Sequence, residues 1–280
     1  MPFKKCLLDS IHYFYYSYIF LVFSSTNKNY LYICYRIYSI QVTETIRNTI
    51  NRFAAGYVFT SSDFPIEVSK QATVNKVLNN MVAAGQIRRL SKRRFYKPKM
   101  SEFRALQPDT FQMVKDLIEK KGKPTGYITG FTIFNKYALT TQVPAALQIG
   151  VRKDKKPIVR GAYRIYFVSQ PNVITKENIP VLQLLDCLRF FKSIPDTMPD
   201  QACRRLIVVF KELDYKQLLA AKKLVLRYNP ASIALLGAIL ENSCSGCDIS
   251  ILFKAINHQS TYKLGISEEV LPNSKKWHIL

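Results

Sequence analysis

The chain has 280 residues, of which 48% are apolar, and this is enough to bury one large core or two smaller ones. That apolar content excludes a largely disordered chain. Lys and Arg number 41 against 19 Asp and Glu, a formal net charge of +22, which predicts a polyanionic partner: nucleic acid first, an anionic membrane surface second. Excess charge for solubility alone is the alternative, but clustering favours a site, since residues 42–99 hold eleven basic and three acidic residues.

The N-terminal segment differs in composition from the rest of the chain. Its apolar and aromatic run, Ile11–Phe23, is thirteen residues long, too short to span a bilayer as a helix. Lys4 and Lys5 precede this run, as in a signal peptide, but no small-residue cleavage site follows it. We interpret residues 1–41 as a non-native or disordered leader, with the native protein beginning near Gln41. A membrane-attached leader is the alternative.

Two helices are predicted directly after this leader. The first has apolar residues three and four positions apart and ends near Gly56. These apolar residues are Ile46, Ile50 and Phe53. Thr60 and Asp63 then match a capping box, in which hydroxyl and carboxylate accept each other's backbone N–H groups. A second, short helix is therefore predicted to begin at Ser61, followed by an extended turn.

The third helix has the clearest amphipathic pattern in the chain. Its apolar stripe consists of Val74, Val77, Leu78, Met81 and Val82. Ser69 is predicted to cap its start and Gly85 to end it. The opposite face contains no acid and has small and hydrogen-bonding groups, which suits close approach to base edges. This face consists of Ser69, Ala72, Thr73, Lys76, Asn79 and Asn80.

A basic hairpin follows in "IRRLSKRRFYKPK", residues 87–99, where seven of thirteen positions are Lys or Arg. We predict strands at Gln86–Leu90 and Phe95–Lys97, with Ser91–Arg94 at the tip. Leu90, Phe95 and Tyr96 would pack against the helices. The basic side chains would contact phosphates or the minor groove, and neutralising about five phosphates would make binding strongly salt-dependent. A hairpin that is merely solvated is the alternative.

Three helices followed by two strands are the order of a winged helix-turn-helix, which we place at residues 42–99. The third helix would be the recognition helix and the hairpin would be the wing. The predicted DNA-binding residues are Ser69, Lys70, Gln71, Thr73, Lys76, Arg88, Arg89, Lys92, Arg93 and Arg94.

Residues 100–280 are predicted to form a larger mixed α/β domain that is mainly helical, which makes the fold class α/β (α+β). The segment 108–122 reads as a helix with Phe111, Val114, Leu117 and Ile118 facing inward. Two runs of strand composition, 145–151 and 157–169, are joined by the polar turn Arg152–Lys156 and predict a hairpin. Further helices are predicted in the segments 132–139, 179–191, 202–210, 215–228 and 230–243.

Two blocks of sequence resemble one known family. "GYVFTSSDF" with "LNNMVAAGQIRRLSKRRFYKP" is similar to the N-terminal winged helix of bacterial AbiE-type abortive-infection antitoxins, and "TGYITGFTIFNKYALTTQVP" (Thr125–Pro144) resembles their Y-x-T-G…L-T-T-Q-V-P signature. The resemblance implies an autorepressor whose C-terminal domain neutralises a nucleotidyltransferase-like toxin. It places the DNA contacts on Ser69–Ala84 and on the wing. The chain departs from the family pattern at Arg94 and Ala138, where glycine is common.

No pattern of catalytic residues is apparent. Cys244 and Cys247 have metal-type spacing but no second pair or nearby His, and the remaining cysteines are scattered, as in a reducing compartment. His12, His258 and His278 have no nucleophile or carboxylate pattern beside them, and no phosphate-binding glycine loop is present. We therefore expect no cofactor, no metal and no enzymatic activity. The Thr140–Pro144 block would either bind a ligand or partner, or make buried turn hydrogen bonds.

The sequence thus predicts a cytoplasmic transcriptional autorepressor and antitoxin that binds double-stranded DNA of its own promoter. A nucleotidyltransferase-like toxin would be its second partner, and no membrane would be involved. A solitary winged-helix transcription factor with a ligand-sensing C-terminal domain is one alternative. A nucleic-acid-processing enzyme that docks through its winged helix is the other.

Overall fold

The computed structural model describes residues 28–102, 105–120, 122–243 and 248–280, with side chains from Ile40 onward except that of Val68. Cys244 and Cys247, like His12 and the run Ile11–Phe23, lie outside the described residues. The chain divides into two compact units between Gln107 and Pro108. Together they form a mixed α/β fold with several small sheets.

The N-terminal unit combines two helices with short strands. Its elements in chain order are α1 (Lys28–Arg52), β1 (Val58–Phe59), the 3₁₀ turns Ser61–Asp63 and Val68–Lys70, α2 (Gln71–Ala83), β2 (Arg88–Ser91), β3 (Arg94–Tyr96), β4 (Lys99–Met100) and β5 (Ala105–Leu106). Strands β1, β3 and β2 form a three-stranded antiparallel sheet in that spatial order. Strand β1 was not apparent from the sequence, because two residues are too few to show an alternating pattern.

Helix α1 is longer than predicted. Residues 28–41, which we expected to belong to a leader, form its first turns, and residues 1–27 lie outside the described part of the chain. The predicted inward positions hold, since Ile46 and Ile50 are buried and Phe53 is half-buried. Gly56 has a φ of 84° but lies four residues beyond Arg52, so it belongs to the turn after the helix and not to the helix stop that was predicted for it.

The predicted second helix is only one 3₁₀ turn. Its capping box is confirmed: the Asp63 carboxylate accepts the backbone N–H of Thr60 at 2.6 Å, and the Thr60 hydroxyl accepts that of Ser62 at 3.3 Å. Pro65 explains the early end, because a residue that precedes proline avoids the helical region. Phe64 is accordingly extended, with φ −96° and ψ 139°.

The core of the N-terminal unit is built around α2 and a stacked pair of aromatic rings. The buried α2 residues Val74, Leu78 and Met81 match the predicted stripe. The ring of Phe59 stacks on that of Phe95 at 6.3 Å, and their strands pair at these two residues. A left-handed Gly85 (φ 73°) ends the helix as predicted.

The C-terminal unit contains a four-stranded mixed sheet and most of the helices. The strands of this unit are β6 (Glu119–Lys120), β7 (Lys123–Pro124), β8 (Gly126–Thr129), β9 (Ala146–Val151), β10 (Ile158–Arg160) and β11 (Tyr163–Ser169), and the last four form the sheet. Its α-helices are α3 (Thr110–Ile118), α4 (Phe131–Lys136), α5 (Ile179–Arg189), α6 (Pro199–Lys211), α7 (Tyr215–Val225), α8 (Pro230–Ser243) and α9 (Ser250–Ala255). The predicted helical segments are confirmed, with shifted ends.

The predicted hairpin at Arg152–Lys156 is wrong. The sheet order is β10-β11-β9-β8, and β9 pairs with β11 in parallel rather than with β10. The chain leaves β9 and passes to the far side of β11, which then forms a hairpin with β10 through Gly161 (φ 57°). Strand β9 is a central strand with neighbours on both sides, which explains why its side chains are mostly buried.

The predicted inward orientation of Phe111 is also wrong. It was predicted to face inward, but 48% of its surface is exposed, while Met113, Val114 and Ile118 are buried. At 100° per residue, Phe111 lies about 70° from the centre of that stripe, towards its edge. Leu117 is half-buried.

Candidate nucleic-acid interface

The outward face of α2 exposes the groups that were predicted to meet DNA. Lys76, Asn79 and Asn80 are exposed, whereas Gln71 and Thr73 are half-buried. The sequence from residue 68 to residue 101 contains no Asp or Glu. The helix therefore presents one lysine and two amides to solvent without a neighbouring acid on the helix itself.

The start of α2 differs from the prediction. Ser69 does not cap the helix: it lies in the preceding 3₁₀ turn, and its hydroxyl donates to the Glu67 carboxylate at 3.4 Å. Lys70 forms an ion pair with the same carboxylate at 2.9 Å, and this hydrogen bond lowers the pKa of Glu67. The sequence pattern missed this acid because it precedes the helix. Ser69 and Lys70 are thus engaged with Glu67 rather than with solvent alone.

The β2–β3 hairpin is packed on one side and basic on the other. Its apolar residues Ile87, Leu90, Phe95 and Tyr96 are buried, as predicted for the last three. Its exposed basic residues are Arg88, Arg89, Lys92 and Arg93, while Arg94 is half-buried. Strand β2 lies at the edge of its sheet, so no further strand among the described residues pairs with it.

The tip of the hairpin is the two-residue turn Lys92–Arg93. Ser91 and Arg94 pair across it, and the ladder is irregular between Arg89 and Ser91. Arg93 adopts a left-handed conformation with a φ of 61°. The strained position is therefore Arg93, one residue before the position where the family resemblance places a glycine.

Arg89 joins the hairpin to α2. Its Nη2 donates to the Asn79 Oδ1 at 2.6 Å, and its guanidinium lies over the Phe95 ring, 5.3 Å from the centroid. Because Asn79 follows Lys76 by less than one helical turn, this contact brings the exposed helix face and the base of the hairpin side by side. We call the exposed set Lys76, Arg88, Arg89, Lys92 and Arg93 the helix–hairpin surface.

A polar depression lies at the base of the hairpin. It encloses about 370 Å³ and is lined by Val82, Gly85, Ile87, Arg88, Arg89 and Tyr96. Two guanidinium groups beside a concave surface are suited to a phosphate group, since arginine presents a planar fork of donors to its oxygens.

Lys97 has a structural role that its place in the basic run concealed. Its Nζ donates to the backbone carbonyl oxygens of Asn51 at 3.0 Å and Phe53 at 3.1 Å, at the C-terminal end of α1. A cation is favourable there because the last helical carbonyls lack intrahelical donors. Lys97 therefore fixes α1 to the sheet instead of facing a ligand.

The Thr140–Pro144 block mainly makes hydrogen bonds within the protein. Thr140 is buried and accepts the backbone N–H of Gln142 at 3.2 Å. The Gln142 side chain donates to Asp196 at 2.5 Å, and its backbone oxygen accepts from Asn135. These contacts favour the interpretation as a turn with internal hydrogen bonds over that of a ligand site.

A buried polar network in the C-terminal unit was missed by the sequence analysis. The carboxylate of Asp186 in α5 accepts hydrogen bonds from the hydroxyls of Tyr127 (2.7 Å), Thr129 (2.6 Å) and Tyr228 (3.0 Å). Gln170 donates to both tyrosine oxygens. The available signal was the Y-x-T part of the Thr125–Pro144 block, which contains Tyr127 and Thr129.

Burial dominates the acid–base properties of this network. It raises the pKa of Asp186, although the three hydroxyl donors act in the opposite direction. Burial, together with the nearby Asp186 charge, also raises the pKa values of Tyr127 and Tyr228, so both keep their protons and serve as donors. The network fixes β8, α5 and the end of α7 to one another.

Among the described residues, no group of three or more His, Cys, Asp or Glu side chains is placed to hold a metal ion. His258 and His278 form a pair with 3.2 Å between ring nitrogens. Burial raises the pKa of Cys203 to about 12 and also raises the pKa of Cys187, so both side chains remain thiols at neutral pH.

Within the described part of the chain, no helix is long and apolar enough to cross a bilayer.

These observations define a mixed α/β protein whose N-terminal unit exposes a basic helix–hairpin surface. The chain belongs to the family of unknown function DUF6088, whose profile matches residues 45–218. The crystal structure of the RV2827C protein from Mycobacterium tuberculosis is similar in fold, with a TM-score of 0.54 and 9% sequence identity over 80% of this chain and 85% of that chain. Comparison with curated proteins gives no match.

Proposed function

We propose that residues 42–99 form a winged helix-turn-helix that binds duplex DNA of the protein's own promoter and represses it. The observation that carries this proposal is the helix–hairpin surface: exposed cations on a helix and on an adjacent hairpin, joined by the Arg89–Asn79 hydrogen bond. In this proposal α2 is the recognition helix and β2–β3 is the wing. Strand β1, which pairs with β3 behind the wing, supports it.

The contacts within the unit suggest distinct roles for the predicted residues. Lys76 and the amide of Asn80 are exposed on α2 and suit the major groove, where amides and cations read base edges. Lys92 and Arg93 at the tip suit phosphates or the minor groove. Arg89 holds the wing against α2 as a positioning residue. Ser69 and Lys70, engaged with Glu67, would contribute less.

The test compares two double variants of the full chain that remove the same charge from the N-terminal unit. Lys76→Ala with Arg93→Gly removes cations from the helix–hairpin surface, and glycine is chosen at 93 because it adopts the positive φ without strain. The control, Arg47→Ala with Arg52→Ala, removes two exposed cations from α1. Binding of a fluorescent promoter duplex is followed by anisotropy across a series of salt concentrations.

We expect the helix–hairpin variant to bind at least about tenfold more weakly at about 0.15 M salt. Each lost phosphate contact lowers the slope of log K against log salt by about 0.9, so a variant that loses one or two contacts should be about 1 to 2 shallower. The control should stay within about twofold of the wild type. Equal losses in the two variants, or no loss in either, would show that net charge rather than this surface governs binding.

We further propose that the C-terminal unit is an antitoxin for a nucleotidyltransferase-like toxin, as the family resemblance implies. The exposed apolar side chains of Tyr215 (75%) and Leu219 (45%) on α7, flanked by Lys216 and Lys223, support a protein contact there.

Co-expression with the product of the adjacent gene should give a stable complex and relief of growth inhibition. Tyr215→Ser with Leu219→Ser should abolish both, whereas the Lys76→Ala, Arg93→Gly variant should retain them. An adjacent gene without such a product would favour a solitary regulator.

A further inference from the structure

The parallel strand pair of the C-terminal unit ends in a groove. Strands β9 and β11 run parallel, so the loops that follow them leave the sheet at the same edge. A cavity of about 500 Å³ lies there, lined by Val151 at the end of β9, by Arg152, Lys153 and Lys155 after it, and by Val173 and Ile174 after β11. Crevices at the carboxyl ends of parallel strands are common ligand sites in α/β proteins, since two loops converge there.

The opposite wall of this groove comes from the end of α3 and the β6–β7 region. It consists of Asp116, Leu117, Lys120, Pro124 and Thr125. The cationic lining residues are thus Lys120, Arg152, Lys153 and Lys155, all exposed, and the acidic one among the described residues is Asp116. Cations contributed by two separate segments face one cavity.

The charge of Asp116 is already balanced. Arg160 holds it with two parallel hydrogen bonds, Nη1 to Oδ1 at 2.5 Å and Nη2 to Oδ2 at 2.8 Å. Arg160 is itself only 5% exposed and also donates to the backbone oxygen of Met113 at 2.8 Å. The buried bidentate pair is neutral as a whole, so the remaining charge of the groove is positive.

Apolar side chains also line the groove. They are Leu117, Pro124, Val151, Val173 and Ile174, and Val173 is 52% exposed. A lining that combines apolar side chains with cations suits a ligand that has a flat or apolar body and negatively charged groups. The volume falls within the range of about 300–1,000 Å³ that is usual for small-molecule sites.

We propose that this groove binds phosphate groups attached to a nucleoside, with Arg152, Lys153, Lys155 and Lys120 on the phosphates and the apolar lining side chains against the base or sugar. Two sources share this chemistry: a free nucleotide and the backbone of a bound nucleic acid. The groove lies wholly within the C-terminal unit, so the proposal does not depend on DNA binding by the helix–hairpin surface.

The experiment again uses matched double variants of the full chain. Arg152→Glu with Lys153→Glu reverses two lining charges. The control, Lys123→Glu with Lys156→Glu, reverses two exposed lysines that do not line the groove but lie close to it in sequence. One arm titrates ATP by calorimetry, and the other measures the salt dependence of binding to promoter DNA. Thermal melting establishes that both variants are folded.

For a free nucleotide, we expect ATP binding to weaken at least tenfold in the groove variant and to stay within about twofold in the control. For a nucleic-acid backbone, ATP binding would be weak in all proteins, and the groove variant would lower the slope of log K against log salt by about 2, at about 0.9 per phosphate. Groove and control variants that are indistinguishable in both arms would overturn the proposal. A failure of promoter binding in the wild type would instead contradict the proposed function and leave the ATP arm to decide this inference.

Discussion

At the scale of single residues, two non-glycine positions adopt a left-handed backbone, at or next to the two positions where the resemblance to abortive-infection antitoxins predicts glycine. Ala138 has a φ of 54° and Arg93 a φ of 61°. The Cβ of an L-residue approaches the backbone in this region, which costs about 1–2 kcal/mol. Ala138 is therefore a position of backbone strain in the C-terminal unit, and Arg93 is the strained position in the β2–β3 hairpin.

Ala138→Gly should stabilise the C-terminal unit by about 1 kcal/mol. Glycine removes the steric cost, which exceeds the entropy that its freer unfolded chain adds. Urea unfolding followed by the fluorescence of Trp277, the single tryptophan of the chain, measures the change. Ala220→Gly in helix α7 is the control and should lose about 1 kcal/mol. A loss of stability at both positions would mean that the left-handed conformation is absent in solution.

At the scale of elements, helix α8 depends on a glycine that faces Trp277. The residues Ser232–Leu240 are all buried, and a Cβ at Gly237 would lie 2.1 Å from the indole ring. The indole Nε1 donates to Glu241 at 2.8 Å, which fixes the ring over this gap. The helix thus accepts a poor helix former because only a residue without a side chain allows the ring so close.

Gly237→Ala should destabilise the protein by about 1–3 kcal/mol, the usual cost of overpacking a core. In an ordinary helix the same change stabilises the protein by about 1 kcal/mol. A loss of stability would therefore indicate that the added methyl group meets the indole ring. Urea unfolding followed by circular dichroism measures it. In a Trp277→Leu background the same substitution should cost little or become favourable, and equal costs in both backgrounds would contradict the packing described here.

Elements also differ in how well the sequence predicts them. The helices of both units follow from periodicity, because 3.6 residues per turn place inward positions at fixed spacings. The short helix at Ser61 failed because Pro65, four residues on, ends it. The prediction of a hairpin at Arg152–Lys156 was wrong because residue composition indicates that β9 is a strand but does not indicate which strand pairs with it. Pairing of β9 with β11 depends on contacts that are distant in sequence.

At the scale of the whole molecule, the Asp186 network makes the stability of the C-terminal unit depend on pH. Burial raises the pKa of Asp186 in the folded protein above its unfolded value near 4. Between the unfolded pKa and the folded pKa, the folded state therefore binds more protons than the unfolded state. The stabilising contribution of this carboxyl is present at low pH and is lost as the pH rises through the folded pKa.

Asp186→Asn should remove this pH dependence, because the amide does not titrate. The free energy of unfolding of the wild type minus that of the variant should fall as the pH rises from about 4 towards neutrality. Urea unfolding at several pH values, followed by Trp277 fluorescence, measures this difference. A difference that grows with pH would mean that the three hydroxyl donors outweigh burial and hold the carboxylate in its ionised form.

The sequence by itself determined the positions of most helices, the capping box at Thr60, the buried face of α2 and the cluster of cations in the hairpin. These features depend on residue type and on neighbours within one or two turns, so local spacing is sufficient. The tertiary structure decided which cations have partners distant in sequence: Lys97 caps α1 and Arg89 binds Asn79. It also decided that the loops after β9 and β11 form one groove. Periodicity reports which side of an element is apolar, whereas the partner of a charged side chain or a strand edge depends on how distant segments pack.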